Sequence, residues 1–246
     1  MIVGVDSAEG INRAAEAGVA VSIEVDCGLR RSGVSPAQAG QFAALARSQG
    51  VRVIGVFTFP GHGYGLDGAP ARAAADEAKA LITAAAAVEA AGVPSPVTSG
   101  GCTPTATLAH TDAVSELRPG IYVFMDAGQI ALGAATPDQI ALGIRATVVS
   151  AAVPGQVVLD AGAKVLGMDR PPWVDAHGQL PRYPHARLAR LWEHHGVVEI
   201  PPDAAAPQVG EEVDVIPNHV CVTVNLVDEL IAGEHSWPVD ARGRNS

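Results

Sequence analysis

Short apolar segments alternate with helical segments through the first half of this sequence, and polar residues follow the end of each apolar segment. The apolar segments predict five strands, at residues 1–5, 19–25, 51–59, 96–98 and 120–126. Helices are predicted between them, at about residues 9–17, from Pro36 up to Gly50, at 69–91 and near 105–112. This α/β alternation predicts a partial (β/α) TIM-type barrel with a site where the strands end. A doubly wound sheet gives a similar pattern and stays open as the alternative.

The character of the sequence changes at about residue 134. Short β-rich segments follow, separated by proline- and glycine-rich turns, at residues 144–150, 156–160, 196–200 and 213–217. The helix signal is weak here, so we predict a mostly β domain over residues 135–246 after a barrel part over residues 1–134. The last dozen residues are predicted to be a frayed tail.

Composition excludes several classes of protein. The net charge is -10, from 26 acidic and 16 basic residues with no basic run, which argues against a nucleic-acid surface. Three separated cysteines are too few for a disulfide framework and fit a reducing compartment, so a cytoplasmic location is predicted. No secretory signal pattern is visible, and the alanine-rich stretch 80–93 contains Glu89 and is too short to cross a membrane.

A glycine turn rich in hydroxyl groups follows the fourth predicted strand, over residues 96–105. Paired glycines allow consecutive backbone N–H groups to point into one concavity, and the neighbouring hydroxyls of Ser99 and Thr103 add donors. Such a turn suits a phosphate group. A strand-to-helix turn without a ligand is the alternative that the spacing leaves open.

Other candidate binding residues lie in glycine-bounded turns near strand ends. Arg31 and Arg118 keep their charge and could hold a phenolate or a pyridine-type nitrogen by hydrogen bonding. His62 could stack on a planar cofactor, and the Tyr64 hydroxyl could bind an anionic group. Surface ion pairs and ordinary turn positions remain the alternatives. Asp26 is predicted to be structural, either orienting Arg31 or capping a turn.

The pair His219 and Cys221 gives the sharpest metal signal in the sequence. On an extended strand, residues two apart face the same side, so the imidazole and the sulfur could bind one ion, and nitrogen plus sulfur ligands suit Zn²⁺. Two ligands leave a metal site incomplete, which is typical of a catalytic site. A buried cysteine beside a structural histidine stays open, as does a further ligand from His194 or His195.

Six segments in order resemble one known family: residues 25–34, 61–64, 99–105, 118–122, 159–164 and 217–221. They are similar to the pyridoxal-phosphate enzymes that include D-threonine aldolase and D-serine dehydratase. These enzymes are relatives of alanine racemase with an amino-terminal (β/α) barrel and a carboxy-terminal β domain.

The resemblance implies roles for individual residues. Arg31 is expected near the phenolic oxygen of pyridoxal 5'-phosphate, with His62 and Tyr64 bordering the ring. Residues expected to hold the phosphate are Ser99, Gly101, Cys102 and Thr103, with the backbone of Gly120 and Tyr122. His219 and Cys221 are expected to bind a divalent metal, either zinc or manganese or magnesium.

One departure from the family is large, because its Schiff-base lysine segment has no counterpart here. The sequence contains two lysines, Lys79 in a predicted helix and Lys164 in the β domain, and neither matches that segment. We therefore expect a form that lacks about the first third of the family's length and has little or no activity on its own.

The resemblance implies a lyase for small β-hydroxy D-amino acids, either an aldolase or a dehydratase, that forms a homodimer when intact. A non-catalytic remnant that binds cofactor or metal is the alternative. A third hypothesis is a metal-dependent hydrolase that uses His62, His219 and Cys221 without a cofactor.

Overall fold

The computed structural model of the chain describes residues 1–94 and 96–244. It divides into two units, Met1–Gly120 and Ile121–Ser246. In the described part of the chain, no helix combines the length and the apolarity that crossing a membrane requires.

The first unit is built on a five-stranded parallel sheet whose spatial order follows the sequence. Its strands are β1 (Ile2–Val5), β2 (Ala20–Glu24), β3 (Val53–Phe57), β4 (Val97–Gly100) and β5 (Glu116–Leu117). A doubly wound sheet reverses its strand order at a switch point, and this sheet does not. The structure thus confirms a barrel-type arrangement.

Three helices connect the first four strands: α1 (Ala8–Ala17), α2 (Ala39–Ser48) and α3 (Ala69–Ala90). Local signals set the ends of α1, since the Gly10 N–H donates to the Ser7 hydroxyl at 3.2 Å and Gly18 ends the helix with φ 64°. The helices and the sheet share one core, whose fully buried members include Ile11, Val21, Ile23, Val56 and Leu81.

The strand predicted at residues 120–126 is wrong. Strand β5 ends at Leu117, and Ile121–Val123 forms a 3-10 turn instead. The Met125 N–H donates to the Ile121 carbonyl at 2.8 Å, and Met125 has a φ of 55°, which an extended strand does not allow. Asp126 then caps the next helix, because its side chain accepts the Gln129 N–H at 2.9 Å.

The second unit contains an antiparallel sheet of order β8-β11-β6-β7-β10-β9. Its strands are β6 (Ile144–Ser150), β7 (Gln156–Leu159), β8 (Gly178–Gln179), β9 (Arg187–Leu191), β10 (Gly196–Glu199) and β11 (Glu212–Pro217). Val148, Leu159, Leu188 and Val215 are buried in its core. The prediction of a partial barrel followed by a mostly β domain is therefore confirmed.

Sequence reasoning missed several elements of the second unit. They are the short helices α4 (Ala127–Ala131), α5 (Ala163–Leu166) and α6 (Val220–Leu226), and the strands β8 and β9. The frayed tail is also wrong in part, because β12 (Glu229–Ala232) pairs with β13 (His235–Pro238) in a hairpin. Residues 245 and 246 of the predicted tail lie outside the described residues.

Candidate functional site

The loops that follow β2 and β3 place three of the predicted site residues together. The Arg31 guanidinium lies over the Phe59 ring, 5.2 Å from its centroid, and the Phe59 and Tyr64 centroids are 6.4 Å apart. A Cβ added to Gly28 would lie 3.1 Å from the His62 ring. Arg31, His62 and Tyr64 therefore share one end of the parallel sheet, where sites form in this kind of fold.

The loop after β2 is held by Asp26, whose Oδ1 accepts the N–H groups of Gly28 and Arg30 at 2.9 Å each. Gly33 has a φ of 100°, and a Cβ there would lie 2.7 Å from the Asp26 nitrogen. Asp26 thus caps the turn, one of its two predicted structural roles, and the packing leaves no room for a side chain at Gly33.

His62 has unused hydrogen-bonding capacity. Both of its ring nitrogens are buried, and neither has a hydrogen-bond partner among the described residues. The Asp76 Oδ2 atom lies 3.4 Å from Nε2, but these two atoms do not form a hydrogen bond. Buried polar atoms without partners are uncommon, so the His62 ring points to a ligand or an ordered water.

The four predicted phosphate-binding residues after β4 differ in what they can offer. The Gly101 N–H donates to Glu77 Oε1 at 2.6 Å, and the Cys102 N–H donates to Thr105 Oγ1 at 3.1 Å. The Ser99 hydroxyl donates to Glu116. The Thr103 hydroxyl is buried and, among the described residues, without a partner. Its side-chain oxygen can therefore bind a ligand without breaking an existing bond.

The glycine turn packs directly on the loop after β3. The Cys102 thiol donates to the Pro60 carbonyl at 3.7 Å, and a Cβ added to Gly63 would lie 3.1 Å from Thr105 Cγ2. Burial raises the pKa of Cys102, so its sulfur remains a neutral packing group at physiological pH. The turn that carries Thr103 and the loop that carries His62 thus form one continuous surface.

The remaining predicted cofactor residues lie on either side of the point in the sequence where the first unit ends and the second begins. Arg118 donates to the Thr58 carbonyl at 2.8 Å and lies 4.9 Å from the Phe57 ring centroid, so its guanidinium has structural contacts. A Cβ added to Gly120 would meet no atom within 4 Å. Tyr122 belongs to the second unit, and its side chain is exposed.

Sequence reasoning missed Glu77, a fully buried residue of α3. Burial raises the pKa of Glu77, whereas the Gly101 N–H and the Arg118 charge lower it. Its position could have been found, because Ala73, Leu81 and Ala84 occupy the same buried helix face. A carboxyl group on that face is unexpected unless it has a polar partner.

The raised pKa of Glu77 predicts a specific pH dependence. The folded state binds the Glu77 proton more tightly than the unfolded state, whose pKa is 4.5. The protonated side chain therefore adds to the free energy of unfolding, fully below pH 4.5, and this contribution is lost as the pH rises through the folded-state pKa. Glu77→Gln removes this titration. We expect the melting temperature of the variant, relative to the wild type, to be higher at pH 8 than at pH 4.5. Thermal unfolding at both pH values measures it, and an equal difference at both would contradict it.

In the second unit, His219 and Cys221 do not lie on a strand, as the sequence analysis assumed. Strand β11 ends at Pro217, His219 is the residue before α6, and Cys221 lies in its first turn. The Asp126 Oδ2 atom accepts the Val220 N–H at 3.1 Å and so fixes the start of this helix. His219 and Cys221 are therefore brought together by the first turn of a helix and not by the alternation of side chains along a strand.

The His219 ring interacts with two side chains, the sulfur of Cys221 and the carboxylate of Asp169. Hydrogen bonding to Cys221, opposed by burial and supported by Asp169, raises the pKa of His219 to about 9. Asp169 Oδ2 lies 2.6 Å from His219 Nδ1. Within residues 1–94 and 96–244, no three His, Cys, Asp or Glu side chains form a group that could hold a metal. His194 instead contacts the Lys164 amine at 3.3 Å.

Family models match both halves of the chain. Residues 1–128 match the model described as alanine racemase, N-terminal domain, and residues 141–232 match the putative serine dehydratase domain. A parallel barrel part followed by an antiparallel β domain is the alanine racemase-type fold.

Comparison with individual proteins shows to which enzymes of the alanine racemase-type fold the chain is similar. The chain is 33% identical to D-threo-3-hydroxyaspartate dehydratase of Delftia sp. strain HT23, over 82% of this chain and 59% of that enzyme. It is 31% identical to D-threonine aldolase of Arthrobacter sp, over 97% of this chain and 66% of that enzyme. The solved Delftia dehydratase aligns with a TM-score of 0.86 at 30% identity, over 96% of this chain and 71% of that one. The chain belongs to the family of these enzymes.

Two further solved structures are of variants named D-threo-3-hydroxyaspartate dehydratase, and each aligns with a TM-score of 0.86 at 29% identity. In one a cysteine is replaced by alanine, and the structure is described as the metal-free form. In the other a histidine two positions earlier is replaced by alanine. The spacing of the two altered residues is that of His219 and Cys221 in this chain.

Proposed function

We propose that the chain is the cofactor- and metal-binding part of a pyridoxal-phosphate-dependent lyase for β-hydroxy D-amino acids. The observation that carries the proposal is the group of buried polar atoms of His62 and Thr103 after β3 and β4, which have no hydrogen-bond partner among the described residues. Relatives named D-threonine aldolase and D-threo-3-hydroxyaspartate dehydratase support the substrate class. Whether the reaction is aldol cleavage or dehydration stays open.

The residues present fit a planar, anionic cofactor. His62 offers a flat ring whose nitrogens form no hydrogen bond with any described residue, and Thr103 offers a hydroxyl for the phosphate. The Arg31 guanidinium keeps its charge, so it can hold the cofactor's phenolic oxygen in the ionised state. Tyr64, next to Phe59, borders the same surface. Pyridoxal phosphate, when bound, supplies an electron sink for charge that develops on the substrate.

The proposed metal ligands are His219 and Cys221. In the similar dehydratase, a histidine and a cysteine at the same spacing have each been replaced by alanine, and the structure of the cysteine variant is described as a metal-free form, which supports a metal role for this pair. Nitrogen and sulfur ligands favour Zn²⁺ over Mn²⁺ or Mg²⁺. A divalent ion there would supply Lewis-acid chemistry toward the substrate hydroxyl. Asp169 accepts from His219 Nδ1, and so orients the ring.

The lysines limit what this chain does by itself. Lys79 lies on the exposed face of α3, and Lys164 is exposed in α5 of the second unit, so neither belongs to the loops that follow β2, β3 and β4. We therefore propose that the chain alone holds the cofactor without a covalent bond and has no lyase activity. The same observation favours the second candidate, a non-catalytic protein that binds the cofactor.

Pyridoxal phosphate binding tests the proposal. The variant Lys79→Arg/Lys164→Arg should bind pyridoxal phosphate as the wild type does, because neither lysine is part of the site. Thr103→Val should weaken binding by about tenfold, since it removes one hydrogen bond to a charged group. Its melting temperature should not fall, because the hydroxyl has no hydrogen-bond partner in the part of the chain that the structure describes. Fluorescence titration and thermal unfolding measure both effects.

Two results would contradict the proposal. If the wild type and Thr103→Val bind pyridoxal phosphate with equal affinity, Thr103 is not part of the site. Loss of binding in the double lysine variant, together with a borohydride-trapped adduct on Lys79 or Lys164 of the wild type, would show that a native lysine holds the cofactor. Turnover of D-threonine or D-serine by the purified chain would refute the absence of activity that both candidate functions share.

A further inference from the structure

The peptide group between Gly100 and Gly101 is held from both sides. The Gly100 carbonyl accepts the Arg118 N–H at 2.8 Å, and the Gly101 N–H donates to Glu77 Oε1 at 2.6 Å. Because a peptide group is planar, these two bonds fix its orientation. The orientation in turn sets the direction in which Cys102 and Thr103 leave the turn.

The two glycines fit around the Glu77 carboxyl group. A Cβ added to Gly100 would lie 2.4 Å from Glu77 Oε1 and 3.0 Å from its Cδ, and Gly101 has a φ of 86°. The sequence pattern suggested that these glycines leave backbone N–H groups free for an anion. In the structure, they instead allow a carboxyl group from α3 to approach the backbone closely.

Packing by itself does not explain why a glutamate occupies position 77, because burying its carboxyl group costs free energy. Glu77 is fully buried, and its Oε2 atom has no hydrogen-bond partner among the described residues. Methionine has a similar length and volume and would fill the space without burying an unpaired polar atom. The carboxyl group therefore makes a contact that an apolar side chain such as methionine cannot make. That contact is the hydrogen bond from the Gly101 N–H.

We propose that Glu77 is a positioning residue for the phosphate site, acting through the Gly100–Gly101 peptide to aim the Thr103 hydroxyl at the cofactor. This inference rests on the proposed function, because it assigns Thr103 to the phosphate. Glu77 acts through this peptide and not by direct contact with the cofactor, because its side chain is fully buried and its Oε1 atom is already bonded to the Gly101 N–H. A bound phosphate would contact the surface that Glu77 supports.

Two substitutions separate positioning from packing. Glu77→Met keeps the volume and removes the acceptor, whereas Glu77→Gln keeps an acceptor for the Gly101 N–H. Glu89→Met, on the exposed face of the same helix, is the matched control. The ligands are pyridoxal phosphate and pyridoxal, which lacks the phosphate. Amide exchange of Gly101, followed by NMR, reports the positioning contact without any ligand.

We expect Glu77→Met to bind pyridoxal phosphate about tenfold more weakly and pyridoxal as the wild type does, because one hydrogen bond shapes the phosphate site alone. The Gly101 amide should exchange at least about tenfold faster in that variant. Glu77→Gln should restore the preference for the phosphate to within about threefold. Glu89→Met should change none of these values.

If the Gly101 amide of Glu77→Met exchanges as slowly as that of the wild type, the positioning role is overturned, whatever the affinities for pyridoxal phosphate and pyridoxal. An equal loss of pyridoxal and pyridoxal-phosphate affinity would overturn it too, since that is the effect of general structural damage. If Glu77→Met does not fold, Glu77→Gln still decides, because faster Gly101 exchange in that variant contradicts the role of the acceptor. Absence of any pyridoxal-phosphate binding by the wild type would instead refute the proposed function.

Discussion

Gly55→Ala is expected to destabilise the first unit by on the order of 3–5 kcal/mol, a large part of the total stability of an ordinary domain. Gly55 lies in the centre of β3 and pairs with Val97 of β4. An added Cβ would lie 2.0 Å from the Val97 carbonyl oxygen and 2.5 Å from its nitrogen. Both atoms belong to the backbone of the neighbouring strand, so no side-chain rotation relieves the clash.

The matched control is Gly120→Ala in the same unit, where an added Cβ meets no atom within 4 Å. Its free energy of unfolding should stay within about 0.5 kcal/mol of the wild type. Urea denaturation of both variants measures the difference. A Gly55→Ala protein as stable as the Gly120→Ala protein would show that β3 and β4 are not paired in this register.

The elements of the first unit were predictable because their signals are local. The Ser7 cap and the terminating Gly18 mark both ends of α1 in the sequence, and the predicted helix 9–17 differs from the observed Ala8–Ala17 by one residue. Apolar runs next to turn and helix-cap residues predicted the first four strands in the same way. A parallel order also places the residues after each strand at one edge, so the proximity of Arg31 and His62 was foreseeable.

The prediction failed where distant residues decide the conformation. The apolar run 120–126 resembles a strand, but Asp126 bonds to the backbone of Val220, far along the chain, and Met125 takes a positive φ. Glu77 was missed for a related reason: its partner, the Gly101 N–H, comes from a different element. Periodicity placed Glu77 on the buried helix face, but only the tertiary fold shows what satisfies its carboxyl group.

The metal pair yields the prediction with the largest effect on binding. His219→Ala and Cys221→Ala should each lower Zn²⁺ affinity by about 100-fold or more, because each removes one of two proposed protein ligands. Asp169→Asn should have a smaller effect, about tenfold, since it keeps both ligands and weakens only the bond that orients the His219 ring. His235→Ala, an exposed histidine of β13, is the control and should bind Zn²⁺ as the wild type does.

Competition with a chromophoric chelator at fixed pH measures these affinities. The order of the Zn²⁺ affinities among the variants matters more than any single affinity. Nonspecific zinc binding by surface histidines would weaken equally in His219→Ala and His235→Ala. Such an equal loss would contradict a site at the start of α6. A loss confined to His219, Cys221 and, to a lesser degree, Asp169 requires an ion held by the imidazole and the sulfur together. That result would also explain why a helix start fixed by the buried Asp126 carries this pair, since a rigid backbone keeps the two ligands at a constant separation.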